Sequence, residues 1–384
     1  MATSPGTQVR ARLDRARRAA ADAGVDAVLV TPGADLRYLC GYNARPLERL
    51  TCLVVPRAGE PVVVVPQLER AAALAAGLGG DGGAAISVRT HGETDDAFEL
   101  VGRLLHDCIG AAPTTVAVSD RMWAAHALEL RRGIGVADVA LAGPLLRGLR
   151  MRKDDAEIEE LRLAGAAIDR VHSRVPEWLR PGRTETEVGR DIAEAIIAEG
   201  HASVDFVIVG SGPNSASPHH ELSERVIEPG DPVVIDIGGT TTNGYCSDCT
   251  RTYVAGTAGS AADADFAARY AVLQHAQQAA CSAVRPGITG AELDAVARDV
   301  IAAAGYGELF IHRTGHGIGL ETHEDPYIVS SNTEPLEPGM AFSIEPGIYV
   351  DGRSGARIED IVVCTDDGGE RLNVIDRDLL VVGD

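Results

Sequence analysis

The chain has 384 residues, 45% of them hydrophobic and 24% charged, the balance of a folded globular protein with two domains or one large one. A formal net charge of −21 repels a phosphate backbone and excludes nucleic acid as a partner, and no apolar run approaches the length of a membrane span. Aromatic residues are only 4%, so Val, Leu, Ile and Ala must build the core; seven scattered cysteines, an odd number, suit reduced thiols in the cytoplasm rather than a disulfide framework.

The Arg- and Ala-rich stretch Met1–Gly24 lacks an apolar targeting core and reads as an amphipathic helix over 8–24 rather than a transit peptide. Asp26–Val30 reads as a short buried strand, and Leu36–Cys40 as a short element closed by Gly41. Thr51–Val55 and Pro61–Val65 are strands separated by Arg57-Ala-Gly-Glu, a hairpin signal. Gln67–Leu78 reads as helix. The glycine-rich Gly79–Gly83 lacks the Lys-Ser/Thr that a phosphate-binding loop needs. Further alternating segments to about Arg147 complete an α/β domain with no concentrated reactive chemistry. The charged run Met151–Glu157 then opens a helix, with Ile158, Leu161, Ala164, Ile168 and Val171 at helical spacing. The boundary falls near 150, giving domains 1–150 and 151–384.

The second domain contains an internal repeat. Arg180-Pro-Gly and Arg285-Pro-Gly each open a helix carrying Thr-x-x-Glu, Thr184/Glu187 and Thr289/Glu292, the pattern of a capping box. Both helices end at glycine, Gly200 and Gly305. Glu228-Pro-Gly precedes the strand bearing Asp236, and Glu337-Pro-Gly precedes the strand bearing Glu345; Asp248 and Glu359 form a second matched pair. Concordant spacing at helix start, helix end, turn and acid predicts two halves about a pseudo-two-fold axis, each supplying two carboxylates to one site.

Asp236 and Asp248 flank Asn243-Gly244, the strong short hairpin signal, so neighbouring strands bring them together. His316 lies in Gly315-His-Gly317, where glycine permits close backbone packing. Four carboxylates and one imidazole cannot share a pocket uncompensated. Two divalent cations offset the charge, and oxygen-rich ligation with one nitrogen suits Mn²⁺ or Co²⁺, with Zn²⁺ as the alternative. Cys246 and Cys249 fall on opposite faces of a strand and read as structural.

Asp236, Asp248, His316, Glu345 and Glu359, in this order, resemble the metal pentad of the prolidase / Xaa-Pro aminopeptidase family of pita-bread metallopeptidases. Their surroundings are similar too: Ser211-Gly-Pro-Asn-Ser-Ala-Ser-Pro-His219-His, Ser247-Asp-Cys-Thr-Arg-Thr252 and His312-Arg-Thr-Gly-His316-Gly-Ile-Gly-Leu-Glu-Thr-His323-Glu-Asp-Pro. The resemblance covers 150–384 strongly, and the N-terminal part is similar to the creatinase-type domain of the same proteins. The Asp236–Asp248 spacing is one residue longer than the commonest family pattern. The implied fold is α+β: a pita-bread catalytic domain with an internal repeat, preceded by an α/β creatinase-type domain.

The resemblance implies roles. Asp236 binds one metal, His316 with Glu345 the other, and Asp248 and Glu359 bridge both. Two cations lower the pKa of a shared water, and Glu345 handles its proton. His219 and His323 match the imidazoles that steady the oxyanion and protonate the departing proline nitrogen. His312 matches a position lining the proline pocket. Arg357, two residues before Glu359, orients a metal carboxylate, with Tyr349 a candidate for the same duty. For a dipeptide, His219, His312 and Arg357 are the candidate partners of the substrate carboxylate. The expected protein is a cytoplasmic homodimeric metallopeptidase cleaving Xaa-Pro dipeptides or short Xaa-Pro-peptides. The alternatives are a C–N hydrolase of a small non-peptide amide and a catalytically silent binding module of the same fold. His220 reads as solvent-facing; His91, His106, His126, His172, His201 and His275 receive structural readings.

Overall fold

The computed structural model describes residues 5–79, 86–256 and 264–383. Residues 1–4 of the N-terminal stretch and 80–83 of the glycine-rich Gly79–Gly83 lie outside the described residues. Contacts divide the chain into two units, Met1–Arg150 and Met151–Asp384.

The first unit is built on strands β1 (Ala27–Val30), β2 (Cys52–Pro56), β3 (Val62–Pro66), β4 (Ser87–His91), β5 (Val116–Val118) and β6 (Val139–Leu141). They form one mixed sheet in the order β4-β3-β2-β1-β5-β6. Helices α1 (Pro5–Asp22), α2 (Ala34–Cys40), α3 (Arg70–Ala75), α4 (Ala97–Ile109), α5 (Ala124–Ile134) and α6 (Gly143–Met151) accompany it. β1, β2 and β3 are buried along their whole length, which is why their sequences are unbroken apolar runs rather than alternating ones. The element closed by Gly41 is a helix, and Gly41 ends it at φ +73°, a left-handed conformation that favours glycine. The helix expected over 67–78 is shorter: a 3₁₀ turn at Gln67–Glu69 precedes α3.

The second unit opens with helices α7 (Asp155–Trp178) and α8 (Glu185–Ala198) and strands β7 (His201–Ser211), β8 (Pro232–Thr241) and β9 (Cys249–Ala255). It continues with α9 (Ala264–Ala283), α10 (Gly290–Ala303), β10 (Gly315–Gly317), β11 (Glu324–Ile328) and β12 (Ala341–Ile344). The last strands are β13 (Gly347–Val350), β14 (Ser354–Arg357), β15 (Asp360–Thr365), β16 (Gly368–Arg371) and β17 (Leu380–Val382). β17-β9-β8-β7 and β11-β10-β12-β15-β16 form two sheets, with β13 and β14 as a separate hairpin.

The repeat is present in detail. α8 and α10 each begin with a complete capping box, Thr184 with Glu187 and Thr289 with Glu292. The Gly182 N–H donates to the Ile227 carbonyl and the Gly287 N–H to the Leu336 carbonyl, the same bond made once in each half. Gly230 and Gly339 turn the chain at φ +90° and +88° just before the two acid-bearing strands. Each half has its own apolar core, one around Ile168, Val188, Ile192 and Ile235, the other around Leu273, Leu293, Ala297 and Phe342. Cys246 and Cys249 are buried in different clusters, and all seven cysteines are free thiols. Among the described residues no helix is long and apolar enough to cross a membrane.

Arg251 ties the halves together. Its guanidinium donates to Asp360 Oδ1 at 2.7 Å and to the carbonyls of Glu359, Asp376 and Ile375 at 2.7, 2.8 and 2.9 Å. Asp360 is fully buried and also faces Arg371. Breaking one partner of such a buried pair leaves an uncompensated charge and costs about 3–5 kcal/mol. Arg251→Met is therefore expected to lower the unfolding free energy from denaturant titration by that amount; an unchanged value would show that Arg371 and Gln277 compensate Asp360 without it.

Candidate active site

Glycine sets the position of His316. A Cβ at Gly315 would run into the Ser343 carbonyl oxygen, and one at Gly317 into the Asp325 carbonyl. Bare backbone at both positions lets β10 press between β12 and β11. The His316 N–H donates to Ser343 Oγ at 3.0 Å. Nδ1 lies 3.1 Å from the Gly317 carbonyl and donates to it, which leaves Nε2 directed at the acids. Nε2 is 3.2 Å from Glu345 Oε1 and 3.6 Å from Asp248 Oδ2.

The acids come from separate elements. Asp236 sits on β8, Asp248 immediately before β9, Glu345 after β12, and Glu359 between β14 and β15. The Asn243-Gly244 turn brings the first two together: the Gly244 N–H closes on the Thr241 carbonyl at 2.8 Å with Gly244 at φ +91°. Arg357 Nη2 donates to Asp236 Oδ2 at 2.7 Å, and Thr250 Oγ1 to Glu359 Oε2 at 2.7 Å. The opposite oxygens, Asp236 Oδ1 and Glu359 Oε1, are buried with no hydrogen-bond partner. One ligand atom from each of Asp248, His316 and Glu359 lies within 4.8 Å of the others.

Electrostatics follow from this crowding. Burial, reinforced by the Asp236 charge, raises the Asp248 pKa well above the usual carboxylate range. Burial and then Asp248 do the same to Glu359. Burial also opposes ionisation of Glu345, but its hydrogen bond and charge pairing with His316 outweigh that and bring it down to about 2. Two buried oxygens lacking donors, among acids that repel one another, are what an oxygen-rich cation site presents before the cation is counted. The residues fit divalent metal, and none of the free thiols joins them.

All nine site residues expected from the sequence line one cavity of about 1130 Å³: Asp236, Asp248, His316, Glu345, Glu359, His219, His312, His323 and Arg357. His323 stacks edge-on against His316, ring centres 4.1 Å apart. Although its ring opens on the cavity, desolvation and the neighbouring His316 and Arg313 charges push its pKa down to about 4. His219 also faces the cavity and adds to that field.

Arg357 and His312 are already engaged. Arg357 is buried, and its N–H groups reach Thr250 Oγ1, Tyr349 Oη, Asp236 Oδ2 and the Pro218 carbonyl. That uses its donor fork on protein atoms, so Arg357 positions Asp236 and is not free for a substrate carboxylate as expected. His312 Nδ1 donates to the Arg313 carbonyl at 2.7 Å, and Tyr349 Oη donates to Nε2 at 3.0 Å. His220 is not solvent-facing either: its side chain is 15% exposed, and Nε2 donates to the fully buried Glu185 at 2.7 Å.

Arg313, passed over in the sequence, also lines the cavity. Its guanidinium lies 4.6 Å over the Tyr327 ring, and among the described residues it has no carboxylate partner. Its place three residues before His316 was the available signal.

The profile of Metallopeptidase family M24 matches residues 159–366, and that of the Creatinase/Prolidase N-terminal domain matches 12–152. A protein named probable dipeptidase PepE from Mycobacterium bovis is 55% identical over 374 residues, 97% of this chain and 96% of its own. A Xaa-Pro dipeptidase from Lactobacillus helveticus is 36% identical over 96% of this chain and 98% of its own. The crystal structure of dipeptidase PepE from Mycobacterium ulcerans superposes with a TM-score of 0.90 at 51% identity, covering 100% of both chains. The two halves of the second unit are thus those of a pita-bread domain behind a creatinase-type domain, and the chain belongs to metallopeptidase family M24.

Proposed function

We propose that this chain hydrolyses the peptide bond before proline in Xaa-Pro dipeptides and short Xaa-Pro-peptides, using two divalent cations. The observation that carries the reading is the pair of buried, unpartnered oxygens, Asp236 Oδ1 and Glu359 Oε1, beside Asp248, His316 and Glu345 in one cavity. Asp248 and Glu359 would be shared between the cations, with Asp236 completing one site and His316 with Glu345 the other. Bound cations supply Lewis acidity to the scissile carbonyl and to the attacking water. Mn²⁺ or Co²⁺ suits this donor set. The remaining chemistry belongs to the chain. Glu345 takes a proton from the water as the new C–O bond forms. His219 or His323 donates a proton to the tertiary proline nitrogen, which cannot leave as an anion, and the C–N bond breaks. Arg357 holds Asp236, and Tyr349 holds Arg357 and His312. The protein acts as a homodimer in this reading, which light scattering of the purified chain checks.

Arg313 supports the dipeptide side of the proposal. A free dipeptide ends in a carboxylate beside proline, and a carboxylate in a cavity lined by several acids needs a cation. Arg357 and His312 are committed, whereas Arg313 is half-buried, braced on Tyr327 and free of acid partners among the described residues. Turnover of Ala-Pro, Ala-Pro amide and Ala-Pro-Ala under one metal condition is the test. Ala-Pro is expected to be fastest. A charge-assisted hydrogen bond contributes ~1.5–3 kcal/mol, so Arg313→Ala should raise KM for Ala-Pro by roughly 10–10²-fold and barely affect the amide. Faster cleavage of the amide and tripeptide would make the protein an aminopeptidase. No cleavage of any of them with metal bound would favour a small non-peptide amide as substrate.

A further inference from the structure

Of the 35 lysine and arginine residues in this chain, Lys153 is the only lysine. It is also buried, with its side chain 1% exposed. Nζ donates to Glu324 Oε1 at 2.7 Å, and that carboxylate is itself only 8% exposed. The Lys153 backbone is fixed by its N–H bond to the Gly339 carbonyl at 2.8 Å.

The surroundings explain why the cation here is small. A Cβ placed on Gly319 would lie 2.6 Å from Glu324 Oε1 and 3.2 Å from Lys153 Cε, so both side chains fill the space directly beneath Gly319. An ammonium is compact, whereas a guanidinium is broad, planar and tied to a forked geometry. In a chain that otherwise uses arginine throughout, the one lysine stands in this closely filled space beneath Gly319.

Gly319 begins the loop that carries Thr322 and His323 to the cavity. The loop is held from both ends. The Gly319 carbonyl accepts from the Cys246 N–H at 2.8 Å, and its own N–H donates to the Glu321 carbonyl at 3.1 Å. At the far end Glu324 pairs with Gly317 across β10 and β11, and its carboxylate folds back under Gly319. Removing the ammonium would take the ion-pair partner from this buried carboxylate, and the loop would shift to hydrate it.

We propose that Lys153 is a positioning residue: by neutralising Glu324 beneath Gly319, it fixes the Gly319–His323 loop so that the His323 ring stands against His316 and the scissile bond. The inference rests on the reading that His323 acts on the substrate. The test is a double-mutant cycle on the metal-loaded enzyme with Ala-Pro. Lys153→Arg keeps the charge and enlarges the head. It should retain metal and KM while kcat falls by roughly 10–10²-fold, the scale of an ångström's misplacement of a reacting group. In the His323→Ala background the same change should cost nothing further, because the group it positions is gone. If Lys153→Arg does not fold, Lys153→Met, which removes the ion pair and leaves the Glu324 charge buried, carries the same expectations, and adding Glu324→Gln should restore kcat. Undiminished kcat in the single variant, or an equal loss in both backgrounds, overturns the positioning role alone. Normal turnover by His323→Ala overturns the underlying reading of His323 and the positioning role with it.

Discussion

Stripping the protein of divalent cations is expected to lower Xaa-Pro turnover by more than about 10³-fold, because carbonyl polarisation and water activation are lost together. Adding back Mn²⁺ or Co²⁺ should restore it, at about two ions per chain by elemental analysis. The geometry predicts more than loss of activity. Burial and mutual repulsion raise the pKa values of Asp248 and Glu359, so the metal-free site retains protons that binding must expel. Calorimetric titration in buffers of different ionisation enthalpy should detect that release. Binding should also stabilise the fold, by about 2.7 kcal/mol at a hundred times the dissociation constant. Full activity in rigorously metal-free protein would defeat the dinuclear reading; one ion per chain at full activity would defeat its stoichiometry.

The second large effect concerns the imidazoles. His219→Ala and His323→Ala should each fold, keep their metal and lose roughly 10²–10⁴-fold in turnover, the usual contribution of a positioned general acid. His316 offers the contrast, since its Nε2 points at Glu345 and Asp248 and its removal should lower metal content as well. Loss of metal from His219→Ala or His323→Ala would make those residues ligands. Near-normal turnover would leave them as packing groups at the cavity wall.

Much of the site was legible because its chemistry is local in sequence. A histidine between glycines, and acids closing apolar runs, identify themselves by residue type and neighbours. The repeat was legible because capping boxes and Pro-Gly turns act through hydrogen bonds spanning a few residues; Thr184/Glu187 and Thr289/Glu292 form as read. Local patterning did less well where packing sets the outcome. Residues 67–78 have helical composition, yet the α-helix covers only Arg70–Ala75.

By itself, the sequence determined the candidate metal ligands and the two-half plan that gathers them, since donor chemistry and turn geometry belong to the residues themselves. Only the tertiary structure decided which polar groups are already satisfied. Arg357 is taken by Asp236 and Tyr349, 121 and 8 residues away; His220 is taken by Glu185, 35 away. Arg313 lies over the Tyr327 ring, and Lys153 answers Glu324, 171 residues distant. A hydrogen-bonding group is committed by whatever the fold brings within about 3 Å of it, and no spacing along the chain specifies that.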